Sequence, residues 1–252
     1  YRPMSSTIEW CYPDSAGPYY PYDETGETAR HYVQLAGYTD TNGDGFLDDG
    51  NGNTLRYTFT IAGDNADHPA YATMENAADI LNDIGFDITV TTDSTALLKL
   101  ASGQLEVWAA AWSSSSDPDM YQVYHKDSTA TSILNWGFQS IERGEVGTQE
   151  ERDILDELAL RIEQGRETTD QTERANIYGG MSGVRLEDGG DMKNLSALDL
   201  VMELAVEFPL YQRRALYVYQ KGIFDEATLA LFAESTAFQS PLSKIWLVSY
   251  AQ

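Results

Sequence analysis

Basic residues are scarce: 16 Lys and Arg stand against 40 Asp and Glu, a formal net charge of −24 over 252 residues. A field of that sign repels a phosphate backbone and an anionic membrane surface, which argues against nucleic acid as a partner. Because the acids are spread over many segments, they read mainly as a solubilising surface. The single cysteine, Cys11, cannot close an internal disulfide, and between Trp10 and Tyr12 it reads as a packed thiol. No apolar run reaches the ~20 residues of a membrane-spanning helix. The longest, residues 198–210, is interrupted by acids. Tyr1-Arg2-Pro3-Met4 opens no basic-then-apolar segment, so any targeting segment is expected outside this chain. Three histidines, His31, His68 and His125, have no metal-like spacing. Residues 180–184 come near a nucleophile elbow, but Val184 stands where its closing glycine belongs. These gaps weigh against an enzyme. A hydrolase built on paired carboxylates stays open, since 40 acids allow many pairs.

What is present reads as a globular α/β chain, with 42% hydrophobic and 12% aromatic residues. Its length allows one large domain or two small ones. Residues 1–24 show neither helical nor strand periodicity and read as an extended lead-in that wraps a larger body. A helix capped by Thr25 should carry Ala29, Tyr32, Val33 and Ala36 on one face and stop at Gly37. From residue 55 the chain alternates. Strands are expected at 55–61, 86–92 and 105–112, with helices at 71–84 and from 94 to Gly103 between them. That order predicts two βαβ units and a parallel sheet. Further helices are predicted at 148–165, with Ile154, Leu155, Leu158, Leu160 and Ile162 inward, at 170–178 and at 195–207. Strands are expected at 210–218, 221–224 and 245–248, which would make the sheet mixed, and 179–190 is a glycine-rich loop.

Two stretches could carry chemistry. Trp112-Ser113-Ser114-Ser115-Ser116-Asp117 lies just past the carboxyl end of the third predicted strand. Open α/β sheets bind ligands at such ends, and an aromatic wall beside small hydroxyls suits a polar solute with apolar parts. The plainer reading is a serine-rich turn in which Asp117 caps a helix that Pro118 opens. The second stretch is Asp40-Thr41-Asn42-Gly43-Asp44-Gly45-Phe46-Leu47-Asp48. Asp40, Asn42, Asp44, the Phe46 carbonyl and Asp48 match a calcium loop, the only cofactor the sequence suggests. Its twelfth position is Asn51, which lacks the usual bidentate carboxylate, and the flanks predict helix then strand rather than two helices. The alternative is an acidic turn held by its own side chains.

Three stretches resemble, in order, the C-terminal half of the binding proteins that serve ABC importers of oligopeptides and similar solutes. They are ARHYVQLAGYTDTNGDGFLDD at 29–49, AWSSSSDPDMYQVYHKDSTATSILNWGF at 111–138, and ERANIY at 173–178 with EFPLYQRRALYV at 207–218. PLSKIWLV at 241–248 follows them. The resemblance implies a periplasmic-binding-protein-like lobe, α/β with a mixed sheet. Residues 1–252 would then be the second lobe of a two-lobed receptor, and 209–252 would return toward the first. It implies an extracytoplasmic, monomeric, non-enzymatic protein, periplasmic or a surface lipoprotein, that clamps a peptide or small molecule and passes it to an ABC permease. Its site would include Trp112, the serines, Asp117 and Tyr211, with Trp136 a further aromatic. Peptide-binding members place an aspartate shortly after the tryptophan to pair with the peptide α-amine; here Ser114 and Ser115 stand there. The peptide part of the reading therefore leans on Asp117. A secreted hydrolase and a calcium-stabilised surface interaction domain are the competing expectations.

Overall fold

The computed structural model describes residues 2–5, 8, 19–20, 23–111, 117–130, 137–180, 184–212, 218–229 and 245–251. Helix α1 (Glu27–Ala36) begins where Asp23 turns its carboxylate onto the backbone N–H groups of Thr25, Glu27 and Thr28. Asp23, not Thr25, is thus the main cap, and the Thr25 hydroxyl it accepts, followed by these backbone bonds, holds its pKa well below the carboxylate range. Gly37 ends the helix in the left-handed region, φ 74°.

The alternation beyond residue 55 folds as the pattern requires. Strand β1 (Arg56–Ala62), helix α2 (Pro69–Asp83), strand β2 (Asp87–Asp93), helix α3 (Ala96–Ala101) and strand β3 (Val107–Ala109) follow one another. Both strand pairings are parallel, and the order in space is β2-β1-β3. The register sets Phe59 beside Val90 and Val107, and Thr60 beside Thr91 and Trp108. Side chains alternate across a strand, so one face carries Phe59, Ile61, Val90, Val107 and Ala109. On that face Ala70 and Met74 of α2 complete a buried cluster. On the other face Ala96 and Leu100 of α3 share a crevice with Thr60, Ala62 and Trp108. The two helices therefore cover opposite faces, as two crossovers of one hand running in opposite directions demand.

The remainder is a helical body. Its elements are α4 (Tyr121–Tyr124), α5 (Gly137–Glu142), α6 (Gln149–Glu167), α7 (Gln171–Ala175) and α8 (Ala197–Glu203), with a single π turn at Asn176–Gly180 after α7. Helix α6 opens with a capping box, Thr148 and Glu151 each bonding the other's backbone N–H. Its Ile154, Leu155, Leu158 and Ile162 are buried, whereas Leu160 points outward, two residues and about 200° round the helix from Leu158. Gly165 is required where it stands: a Cβ there would sit 2.2 Å from the ring of the fully buried Tyr178. Helix α8 is buried on nearly every side and supplies the middle of the main cluster. It stops short of the predicted residue 207 because Ala205 turns to φ 51°, outside helical space.

Three described residues of the first 24 contact α8. Arg2 forms a buried ion pair with Asp199 of α8 at 2.6 Å, Tyr19 donates to Glu203, and Tyr20 donates to the Met202 carbonyl at 2.5 Å. The C-terminal strands do not form among the described residues. Residues 210–212 and 218–220 are irregular and exposed, Ile245–Leu247 is a 3-10 turn, and the only pairing there is one antiparallel bridge, Phe224 to Tyr250. Strand propensity without a partner ladder leaves a segment irregular. The described sheet is accordingly parallel rather than mixed. A short helix, α9 (Glu226–Leu229), completes the elements.

Candidate functional site

Because β1 is central, the chain leaves it toward β2 on one side and returns past it to β3 on the other. The strand order reverses between β1 and β3, and a crevice outside their carboxyl ends is where open α/β sheets take ligands. Residues 63–68 leave β1 at this edge. His68 there caps α2 by accepting the Ala70 N–H on Nδ1 at 3.2 Å. Ala110 and Ala111 leave β3 and lead into Trp112, Ser113, Ser114 and Ser115, which with Ser116 lie outside the described residues. Trp136, Cys11 and residues 181–183 also lie outside them.

Asp117 is not a helix cap. Its Oδ1 accepts the Asp119 N–H at 2.9 Å, and Asp119 in turn accepts the Tyr121 N–H at 3.0 Å at the start of α4. The helix begins later than Pro118 because Asp119, not Asp117, supplies the capping oxygen. Asp117 instead meets Arg174, at the end of α7, through two parallel bonds of 2.7 and 3.3 Å. Arg174 holds the Asp117 carboxyl below its ordinary pKa. The Arg174 guanidinium lies 5.3 Å from the ring of Tyr178, which burial pushes up in pKa. Asp119 carries a second arginine, Arg166 at 3.4 Å, whose guanidinium stands 4.4 Å above the Tyr121 ring. The other face of Tyr121 stacks on His125 at 4.2 Å.

Tyr211 is exposed in an irregular stretch rather than on a strand, and nothing in the described contacts brings it to Asp117. The acidic loop sits at the opposite end of the sheet from Asp117. Leu47 N–H bonds the Gly85 carbonyl just before β2, and Leu55 N–H bonds the Leu47 carbonyl just before β1. Its acids hold their own backbone. Asp40 accepts from the N–H groups of Gly43 and Gly45, Asn42 from Asp44, and Asp44 from Phe46. Asp48 is buried and takes the Thr41 N–H and hydroxyl together with the Asn42 amide. Among the described residues no three His, Cys, Asp or Glu side chains gather into a group able to hold a metal ion.

Reading the sequence missed Arg166, Arg174 and Tyr178 as partners of the segment after β3. An Asp-Pro-Asp triplet with arginines on a later helix pair was the available signal, but a separation of 57 residues between Asp117 and Arg174 hides it.

Residues 1–132, more than half of the chain, match the model of the bacterial extracellular solute-binding proteins, family 5 Middle. No curated protein matches the sequence. Among solved structures, the oligopeptide-binding protein AppA of Bacillus subtilis, in complex with a nonapeptide, is similar at 20% identity and a TM-score of 0.48. That likeness covers 66% of this chain and 30% of that one. NikZ of Campylobacter jejuni, in complex with Ni(L-His), is 16% identical with a TM-score of 0.46, covering 73% and 31%. NikA of Brucella suis, in complex with Fe(III)-EDTA, is 18% identical with a TM-score of 0.45, covering 77% and 34%. The likeness thus spans about a third of the length of each of these structures. No described helix is long and apolar enough to cross a membrane. On the match over residues 1–132, this chain belongs to the bacterial extracellular solute-binding proteins of family 5.

Proposed function

We propose that this chain forms one side of the ligand site of an extracytoplasmic receptor for an ABC importer, binding an oligopeptide or related small solute and passing it to the membrane permease without chemical change. Membership of a solute-binding family supports the receptor role. The observation that carries the placement is the β2-β1-β3 strand order. It sets the reversal point between β1 and β3, and Ala110 and Ala111, which leave the carboxyl end of β3, immediately precede Trp112 to Asp117 in the sequence. An indole beside a run of hydroxyls offers stacking area and adaptable hydrogen bonding, which suit a solute with both polar and apolar parts.

The test is a thermal-shift panel of oligopeptides, oligosaccharides and metal chelates on the protein. Any ligand present at 100 times its Kd stabilises by about 2.7 kcal/mol. For a chain of this length that raises Tm by roughly 5–10 °C. Trp112→Ala should remove the shift while leaving the unliganded Tm within about 2 °C of the parent. A panel without a single shift, or turnover of any member, would sink the receptor reading.

A further inference from the structure

In the described sheet, β2 has a neighbour on one side only. Its Asp87 N–H bonds the Leu55 carbonyl and its Asp93 carbonyl accepts the Gly63 N–H, so alternate residues from Asp87 to Asp93 turn their backbone groups toward β1. Ile88, Val90 and Thr92 turn theirs away, to the rim of the sheet. A rim of unpaired N–H and C=O groups is a template for a further strand. Here one rung of that template is filled. The Asn82 amide, in the last turn of α2, closes both groups of Ile88: Oδ1 accepts the N–H at 2.7 Å and Nδ2 donates to the carbonyl at 3.1 Å. Those two bonds have the form of a rung made by a neighbouring strand. Farther along, the Thr92 carbonyl meets only the Thr91 hydroxyl at 3.4 Å, and no described group bonds Val90 from outside.

The strand's own sequence says what would pair there. Asp87-Ile88-Thr89-Val90-Thr91-Thr92-Asp93 reads nearly the same in both directions. Laid antiparallel to a second copy and centred on Val90, it sets Val90 on Val90, Thr89 on Thr91, Ile88 on Thr92 and the end acids on one another. β-Branched residues facing across a ladder favour pairing. The end acids are already met within the chain, Asp87 by Arg56 at 2.5 Å and Asp93 by Lys99. Outward-turned residues form the bonded pairs of such a ladder, so Val90 with Val90, and Ile88 with Thr92 on either side, would each exchange two hydrogen bonds. With Ile88 closed by Asn82, only the central pair is left. One bonded pair is too little to hold two chains, when even a complete isolated hairpin is marginal in water. The net charge of −24 also opposes association, but that field is screened beyond roughly 8 Å at physiological salt. A plug at the contact acts at any ionic strength.

We infer that the outer edge of β2 is a self-pairing surface for a second copy of this chain, and that Asn82 keeps it shut by standing in for the missing strand at Ile88. Neither the edge nor its plug depends on what the protein binds.

Sedimentation and light scattering on the whole chain, at roughly 0.1–1 mM protein and about 0.15 M salt, test this. The parent should stay monomeric. Asn82→Leu removes both bonds without adding a charge, and should self-associate reversibly, at least about tenfold more tightly than the parent. Hydrogen exchange in dilute protein checks that the edge has opened: the Ile88 amide should exchange about tenfold faster while α6 keeps its protection. Adding Val90→Pro removes the central N–H, which bonds nothing in β1, and should return the protein to a monomer. If Asn82→Leu fails to fold, Asn82→Ser decides the matter, its side chain being too short to reach both groups of Ile88. A folded Asn82 variant that stays monomeric with a freed Ile88 amide overturns the inference. So does an unchanged Ile88 amide, association that survives Val90→Pro, or a parent that pairs as strongly as the variant.

Discussion

Around the sheet, the buried cluster is four residues: Ile61 of β1, Ala70 and Met74 of α2, and Ala109 of β3. Among the described residues the main cluster holds seventeen, taking in Ile8 of the lead-in and Leu100 of α3 but centred in the helical body on Leu155, Leu158, Ile162, Tyr178, Leu198, Leu200 and Val201, all fully buried. The sheet region also leaves Leu97 and Leu98 of α3 63% and 74% exposed. The helical body adds polar specificity to its apolar bulk. Arg2 and Asp199 pair inside it, two of its helices open with capping boxes, and the lead-in is tied across α8 by tyrosines. Buried apolar area scales with stability at roughly 25 cal/mol per Å², so the helical body is the rigid half. The sheet rests on a thinner core of its own, and the Arg174 fork ties Asp117, beyond β3, to α7.

Breaking the Arg2–Asp199 pair should produce the largest effect. Both side chains are almost fully buried, at 6% and 2% exposure, so removing one partner strands the other. Arg2→Met is expected to cost about 3–5 kcal/mol, and adding Asp199→Asn should return a good part of it. Chemical denaturation followed by tryptophan emission and by far-UV circular dichroism would measure both. Equal losses from the single and double variants would mean that the lead-in, not the charge pair, is what α8 needs. Next in size is a direct contrast of the two cores. Leu158→Ala should cost about 3–5 kcal/mol, near the upper end for a fully enclosed leucine. Met74→Ala, at the edge of the small cluster, should cost about 2 kcal/mol. A Met74→Ala loss as large as that of Leu158→Ala would erase the distinction between a rigid body and a thin sheet.

The sequence made the local part of this contrast readable. Apolar spacing of 3.6 residues marked α2 and α6, alternation marked β1 and β2, and Gly85 and Gly103 closed the helices between strands. Each signal is written within some ten residues, the range over which backbone geometry repeats. What stayed hidden depends on distance along the chain. Arg2 meets Asp199 across 197 positions and Arg174 meets Asp117 across 57, and no periodicity carries such pairings. Of the strand expected at 210–218, residues 213–217 lie outside the described residues; the one expected at 245–248 is a 3-10 turn at Ile245–Leu247, since a strand exists only with a neighbour. The candidate ligand segment is proposed from its place after β3, and the calcium-like loop from its motif. The motif could not show that Asp48 turns inward to Thr41 and Asn42.

A smaller effect should come from Glu207, which follows Val206 at the rim of the main cluster. Its carboxyl is sunk beside Tyr124, and Oε2 finds no hydrogen-bond partner among the described residues. Burial pushes its pKa from 4.5 up to about 7, with the Tyr124 hydrogen bond opposing. The folded protein therefore keeps a proton that the unfolded chain releases between about pH 4.5 and 7. Stability attached to this group is full below that window and declines as pH rises through it. Glu207→Gln should raise stability at pH 8 by about 1–3 kcal/mol and leave it nearly unchanged at pH 4. Urea melts at the two pH values separate the cases; an equal effect at both would assign the change to packing instead of charge.

The smallest effect should be that of calcium. The acidic loop is already closed by its own side chains, with Asp40 on Gly43 and Gly45 and Asp48 on Thr41, and Asn51 leaves the twelfth position without a carboxylate. A cation entering there would have to exchange with those hydrogen bonds, so any site belongs at the weak, millimolar end of calcium affinities. At a calcium concentration near such a Kd the stabilisation is about 0.4 kcal/mol, or a rise in Tm of roughly 1–2 °C. Since the loop packs on the amino end of the sheet through Leu47 and Gly85, that rise would leave ligand-induced shifts at the opposite edge unchanged. A calcium-dependent gain above about 5 °C, abolished by Asp44→Ala, would imply a tight site in which the loop rearranges around the ion. In that event the thin sheet region would owe much of its stability to a metal, and the contrast with the apolar helical body would become one between two kinds of core.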